Sequence, residues 1–494
     1  MTVTSESTTF DSTNPATGEV VGSYPKQTAE EVREAVGRAE EAARWWADLG
    51  WAERRLRLLD FKAVLTREAR SLARLVHEET GKPVGDAALE IVLAVTHLDW
   101  AARNARKVLG PRRVRTDLVT LNMAATLEYL PLGVVGVIGP WNYPVFTPMG
   151  SIGYALAAGN AVVFKPSEYT PGVGVRLAEL FRESVPEQPV FQTVTGLGET
   201  GAHLAGDPRV KKIAFTGSTA TAKRVMAACA ENLTPIVAEC GGKDAFIVDA
   251  DADVAAAADA CLWGAMSNAG QTCVGVERVY VVDAVYEPFM KALREKAAGI
   301  KAGEQYGPIT MPGQLDVIKR HIDAAAKSGK VVLGGPESVR APYVDPVIVE
   351  DVPEDSPAVR EETFGPTITV RRTRDAQEAL ELANASSYGL AGTIFSRNAR
   401  RATELARLMR SGMTAINSVI SFAAIPALPF GGVGDSGFGR IHGADGLREF
   451  ARPKAISRQR FAVPGMNLTS FTRGEAEMER LLKLVTFIHG RRKR

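Results

Sequence analysis

Three side chains able to carry acyl chemistry stand in small-residue turns of this sequence. Cys273 lies in "NAGQTCVGVERVYVV" (268–282), where small and polar residues give way to an apolar, β-branched run. A cysteine acts as a nucleophile only as thiolate, which needs positive potential, backbone N–H groups or a base nearby. No histidine is close in sequence, and the six at 77, 97, 203, 321, 442 and 489 read as ordinary solvent or core residues. Glu239, in "IVAECGGKDAF", ends an apolar run before a Gly-Gly turn and is either a strand-end surface charge or a general base. Asn142, in "GPWNYP", either donates to an oxyanion or caps the turn between two prolines.

Further turns could hold a phosphate or a ribose. In "FTGSTATA", Gly217 and Ser218 join a strand to a helix, as a phosphate-binding helix start or a plain turn capped by Ser218. "VVFKPSE" sets Lys165 and Glu168 past another apolar run, where a carboxylate can accept from ribose hydroxyls or only pair with the lysine. Two G-x-G-x-x-G matches, Gly196/Gly198/Gly201 and Gly432/Gly434/Gly437, lack the flanking strand or acidic residue of a standard pyrophosphate loop.

Positioning these turns falls to elements legible in the pattern. Val32, Ala35, Val36, Ala39 and Ala43 repeat with helical period, and helices continue to about Lys107. "TLNMAATLEYLPLG" alternates partially without a helical stripe and reads as a strand pair projecting from the main body. From Gly133, short apolar runs end in turn residues followed by helical patterns, the signature of parallel strands buried on both faces. A second such set runs from near Ala245 to about Gly437, so the fold class is α/β with two α/β domains.

A chain of 494 residues, 45% hydrophobic and 23% charged, is ordinary globular material large enough for two or three domains. With 59 basic and 57 acidic residues the net charge of +2 argues against a nucleic-acid surface. No apolar run is long enough to span a bilayer, and the polar start has no signal-peptide core, so a cytoplasmic protein is expected. Four irregularly spaced cysteines fit reduced thiols, and no Cys/His spacing suits a metal.

Taken together, "PWNYP" (140–144), "KPSE" (165–168), "FTGST" (215–219), "ECGGK" (239–243), "GQTC" (270–273), "ETFGP" (362–366) and "PFGGVGDSG" (429–437) resemble, in order, the motifs of the NAD(P)-dependent aldehyde dehydrogenase superfamily. The resemblance spans roughly residues 10–460 and implies an atypical Rossmann cofactor domain, an α/β catalytic domain and a small β oligomerisation element. It implies that Cys273 attacks the aldehyde carbon, that Asn142 and the Cys273 N–H hold the oxyanion, and that Glu239 activates the water that hydrolyses the thioester. Glu239 favours hydrolysis over acyl transfer to CoA. Lys165 and Glu168 would hold the adenosine ribose, Trp141 and Ser218 the pyrophosphate, Glu362 and Phe364 the nicotinamide riboside. Glu168 would repel a 2′-phosphate, so NAD is expected over NADP.

Three positions depart from the usual pattern: Cys240 replaces a leucine, Ala222 a glycine that lets backbone approach the cofactor, and Ser151 a lysine. The resemblance lines a substrate tunnel with Tyr143, Thr147, Gly150, Thr272, Val274, Phe422 and Phe430, and Gly150 would leave room at one wall. That set has no arginine and favours medium or long aliphatic or aromatic aldehydes over semialdehydes. The implied division is 1–111 with 132–241 for NAD, 242–445 for catalysis, 112–131 with 446–464 for assembly into a dimer or tetramer, and 465–494 as a tail. In that tail Met478, Leu481, Leu482, Val485 and Ile488 share a helical face ahead of four basic residues, either a peripheral membrane contact or a helix packed on the protein itself. Remaining alternatives are a CoA-acylating dehydrogenase, a non-catalytic relative of the fold, and a cofactor-free cysteine hydrolase.

Overall fold

The computed structural model describes residues 8–463 and 470–490. Two large sheets organise it. The first has six strands in the order 437–438, 236–239, 210–216, 134–138, 161–165, 191–193, all parallel except the first. The second has seven, in the order 330–333, 347–350, 367–373, 276–282, 244–248, 392–395, 415–416, parallel except at the 330–333 edge. Their central strands are buried along almost their whole length, which explains the continuous apolar runs without alternation. The short strand 437–438 departs from the expected division: it comes from the 242–445 segment but pairs antiparallel with 236–239 of the first sheet.

The first predicted helix forms as Ala29–Asp48, and Val32, Ala35, Val36, Ala39 and Ala43 are all buried. Thr28 and Glu31 fix its start reciprocally: the Thr28 hydroxyl accepts the Glu31 N–H at 3.3 Å and Glu31 accepts the Thr28 N–H at 2.8 Å. Helices 50–67, 69–80 and 84–109 follow. The stretch expected to form a strand pair is one long strand, 123–131, whose partners come from elsewhere in the chain: it lies between 451–459 and the short strand 112–114 in a three-stranded antiparallel sheet. In strand 451–459 every residue after Ala451 is exposed.

The terminal helix Glu475–His489 forms, with no residue fully buried. Met478, Leu481, Val485 and Ile488 are half-buried as the expected face requires, but Leu484 completes that face and Leu482 stands 58% exposed. The Asp117 carboxyl in the 115–122 loop is held below its usual range by Thr120 hydrogen bonds and, more weakly, by His489 at the end of this helix. The four basic residues 491–494 fall outside the described residues. Among the described residues no helix is long and apolar enough to cross a membrane.

Asn160 ties the projecting element to the first sheet. Fully buried, it accepts N–H groups of Leu132 and Gly133 at 2.6 and 3.1 Å and donates to the carbonyls of Ala155 and Phe450 at 3.0 and 2.7 Å. Asn160→Ala strands several buried backbone groups, and chemical denaturation should show a loss of about 3 kcal/mol or more.

Candidate active site

The loop carrying Cys273 is held in a conformation few residues adopt. Asn268, Ala269 and Gly270 follow one another in the left-handed region, with φ of 51°, 57° and 72°. For the two residues with a Cβ this costs about 1–2 kcal/mol each. Hydrogen bonds to Gln271 hold the loop there. Its carbonyl accepts the side-chain amides of Asn142 at 2.9 Å and Asn268 at 3.1 Å. Its own amide donates to the carbonyls of Asn268 and Pro308 at 2.9 and 3.2 Å and accepts the Thr310 N–H at 2.8 Å. At Gly270 a Cβ would collide with the Gly365 carbonyl, so the cysteine loop and the "ETFGP" loop touch backbone to backbone.

The proline-flanked turn therefore reaches across to the cysteine. The Asn142 amide leaves its own turn for Gln271, two residues before Cys273, and retains a second N–H for another acceptor. Tyr143 follows it, with its hydroxyl 2.8 Å from Thr272 Oγ1.

Glu239 ends strand 236–239, is 4% exposed, and has no hydrogen-bond partner for either carboxylate oxygen. Burial pushes its pKa well above the usual range, against a weaker pull from Arg440. At Gly431 a Cβ would lie 2.7 Å from Glu239 Oε1, so the "PFGG" segment closes over the carboxylate. Burial also pushes the Cys273 thiol well up, helped by Glu362, Asp244 and Glu239. Glu362 is raised to about 8, chiefly by burial, and accepts the Gly242 N–H at 3.0 Å. Neither glycine of "ECGGK" has free space beside it: a Cβ at Gly241 would meet the Glu362 carboxylate, and one at Gly242 would lie 2.7 Å from the Cys273 carbonyl oxygen.

Cys273 and Glu239 line two cavities. The larger, about 520 Å³, is walled by Trp141, Lys165, Glu168, Gly217, Ser218, Glu362 and Phe364, the whole set expected at the cofactor, together with Gly198, Gly201 and Arg224. Ser218 caps helix 219–230 by accepting the Thr221 N–H at 3.3 Å, and it stands on the wall of the cleft. Lys165 Nζ is buried 3.4 Å from Glu168. Phe364 sits at a φ of 53°, edge-on to Trp141 with centroids 5.6 Å apart. Ala222 faces the core and does not line the cleft, so it does not narrow the approach as expected. The "GLGETG" segment, unpromising as a standard loop, contributes Gly198 and Gly201 to the wall.

The smaller cavity, about 110 Å³, is lined by Tyr143, Thr147, Thr272, Val274 and Phe430. Two expected residues are absent from its wall. Phe422 stands behind Phe430, centroids 6.3 Å apart. Gly150 leaves no room, because the His442 ring fills the space where its Cβ would be. Leu89, Leu93, Trp263 and His442 supply wall that sequence reasoning missed. Leu89 and Leu93, four residues apart on helix 84–109, carry the spacing of any helix face, and only packing shows which face meets the tunnel.

The "Aldehyde dehydrogenase family" model matches residues 2–456, and the chain belongs to that family. It is 37% identical to the 4,4'-diapolycopene aldehyde oxidase of Methylomonas sp, over 92% of this chain and 87% of the relative. It is 35% identical to the glutarate-semialdehyde dehydrogenase of Pseudomonas aeruginosa, over 90% of this chain and 92% of the relative. The solved NAD-dependent aldehyde dehydrogenase of Sinorhizobium meliloti superposes with a TM-score of 0.88 at 33% identity, covering 92% of each chain. The relatives include both NAD-dependent and NADP-dependent enzymes. The chain is thus an aldehyde-oxidising enzyme of the mixed α/β aldehyde dehydrogenase fold.

Gly270→Ala combines a left-handed φ with a backbone collision that no rotamer relieves. Thermal unfolding should report a loss of about 3 kcal/mol or more, with aldehyde oxidation abolished.

Proposed function

We propose that this enzyme oxidises neutral, predominantly apolar aldehydes to carboxylic acids with NAD, using Cys273 as nucleophile, Asn142 with the Cys273 N–H as oxyanion donors, and Glu239 as general base. The observation that carries this reading is the position of Cys273 and Glu239 on the walls of both cavities, where an aldehyde in the tunnel and a cofactor in the cleft would meet.

The cleft residues suit a dinucleotide. Lys165 and Glu168 offer a buried cation and a carboxylate to a ribose, Ser218 and the start of helix 219–230 offer donors to phosphate, and Glu362 with Phe364 closes the end beside Cys273. NAD, when bound, supplies the acceptor for the hydride that turns the Cys273 thiohemiacetal into a thioester. Around it, the chain's own groups do the rest. Cys273 reacts as thiolate, its proton released to solvent, and its sulfur bonds the aldehyde carbon while amide donors hold the oxygen. Glu239, a strengthened base through burial, takes a proton from the water that attacks the thioester, which releases the acid and restores the thiolate.

Tunnel chemistry favours uncharged substrates. Lys82 is the one lysine or arginine among its described lining residues, against Asp86, Glu90 and Glu239, and it is committed to Glu90, the Asn142 carbonyl and the Tyr143 ring. A second carboxylate on the substrate would find no free cation. NAD is favoured because Glu168 stands in the same wall as Lys165, although Arg224 nearby lowers the penalty for a 2′-phosphate. The exposed strand 451–459 supports assembly of a homo-oligomer through the three-stranded sheet.

Formation of reduced nicotinamide from NAD and hexanal, without CoA, tests the reading. Cys273→Ala should be inactive. Glu239→Gln should give a burst of about one equivalent and then turn over about 10²-fold more slowly. In the parent, hydrolysis-limited turnover should rise with pH as Glu239 ionises, and the variant should lack that limb. Turnover that returns only on adding CoA would move the enzyme to the acylating class. Hexanal should exceed succinic semialdehyde in kcat/KM by about tenfold or more, and a reversed order would overturn the neutral-substrate reading. NAD should exceed NADP in kcat/KM, and Glu168→Ala should narrow the ratio.

A further inference from the structure

Between the Asn142 turn and the tunnel wall lies a buried ion pair. Lys82 and Glu90 are each 1% exposed and stand 3.0 Å apart. Lys82 Nζ also donates to the Asn142 backbone carbonyl at 2.6 Å and sits 4.4 Å from the centre of the Tyr143 ring. The second Glu90 oxygen accepts the N–H groups of Val145 and Phe146 at 3.1 and 3.2 Å. Those two donors open helix 146–158, whose own cap position, Val145, has no side chain able to accept them. These contacts of the pair beyond itself all end on residues 142–146.

Stability alone is a poor account of such a pair. Removing two charges from water costs several kcal/mol per ion, and apolar residues of similar volume are often no less stable. What apolar residues cannot do is fix carbonyl and N–H directions along a turn. We propose that Lys82 and Glu90 are positioning residues for the oxyanion-binding amide: they orient the backbone of 142–146 so that the Asn142 side chain projects toward Gln271 and Cys273. This rests on the reading of Asn142 as oxyanion donor. The segment before Lys82 is tied to the same place, since Thr310 donates through its hydroxyl to the Thr80 carbonyl at 2.9 Å and through its N–H to Gln271 at 2.8 Å. Loss of the pair therefore acts on steps that build negative charge on the substrate oxygen and leaves the cofactor cleft intact.

A double-mutant cycle separates this role from a general loss of structure. Lys82→Met is made in the parent and in Asn142→Ala, and kcat/KM for hexanal, NAD binding by fluorescence quenching and thermal unfolding are measured for all four proteins. In the parent, Lys82→Met should lower kcat/KM by about 10- to 100-fold, and in Asn142→Ala by less than about threefold, with NAD affinity unchanged. An equal loss in both backgrounds, or a loss that follows NAD affinity, overturns the positioning role. Parental activity in Asn142→Ala alone would instead remove the oxyanion reading, and the inference with it, so the two failures are distinguishable. Should Lys82→Met not fold, Glu90→Gln keeps the side-chain shape and is read through the same cycle.

Discussion

The Gln271 hydrogen-bond knot is the constraint on which the active site depends. Its carbonyl and side chain join the 142 turn, the left-handed run at 268–270 and the 308–310 segment. Three successive left-handed residues would relax in a free loop, because two of them carry a Cβ. Held by several buried hydrogen bonds, the strain persists and the peptide before Cys273 stays turned toward the cavities. Cys273, the proposed nucleophile, owes its position in part to neighbours distant in sequence.

The same device holds the two other loops at the site. Lys82 and Glu90 grip the turn of Asn142, and Lys243 and Glu277 grip the loop of Glu362 and Phe364. In both, one carboxylate accepts successive backbone N–H groups: Val145 and Phe146 for Glu90, Thr363 and Phe364 for Glu277. The lysine of "ECGGK" is thus spent on scaffolding; it does not line the cofactor cleft. Glu239 and Glu362, whose charges also bear on Cys273, have their proton affinity raised chiefly by burial, against weaker pulls from Arg440 and Lys243, and a carboxylate so raised is a stronger base once ionised.

Much of this was legible in the chain. Buried parallel strands announce themselves as unbroken apolar runs, and the turns after them mark the sheet edges where Asn142, Lys165, Ser218 and Glu239 gather. What stayed hidden shares one physical property: its meaning depends on burial. Lys82 and Glu90 are ordinary polar letters near helix ends, and only the 1% exposure of each shows their role. Gly150 looks like open space until His442, nearly 300 positions away, is seen to occupy it. Phe422 matches the tunnel by position but turns its ring behind Phe430, a choice of rotamer and loop path that no motif encodes.

The short strand 437–438 carries a mechanical consequence. It arises beyond the second sheet yet completes the edge of the first, beside the last residues of strand 236–239. Ser436 adds a bond to the Gly241 carbonyl at 2.7 Å and accepts the Gly389 N–H at 3.1 Å, so the joint engages both halves. Swinging the halves apart would peel this strand from Glu239 and disturb the residue proposed as general base. The pairing thus couples the two halves mechanically, so that they should melt as one cooperative unit.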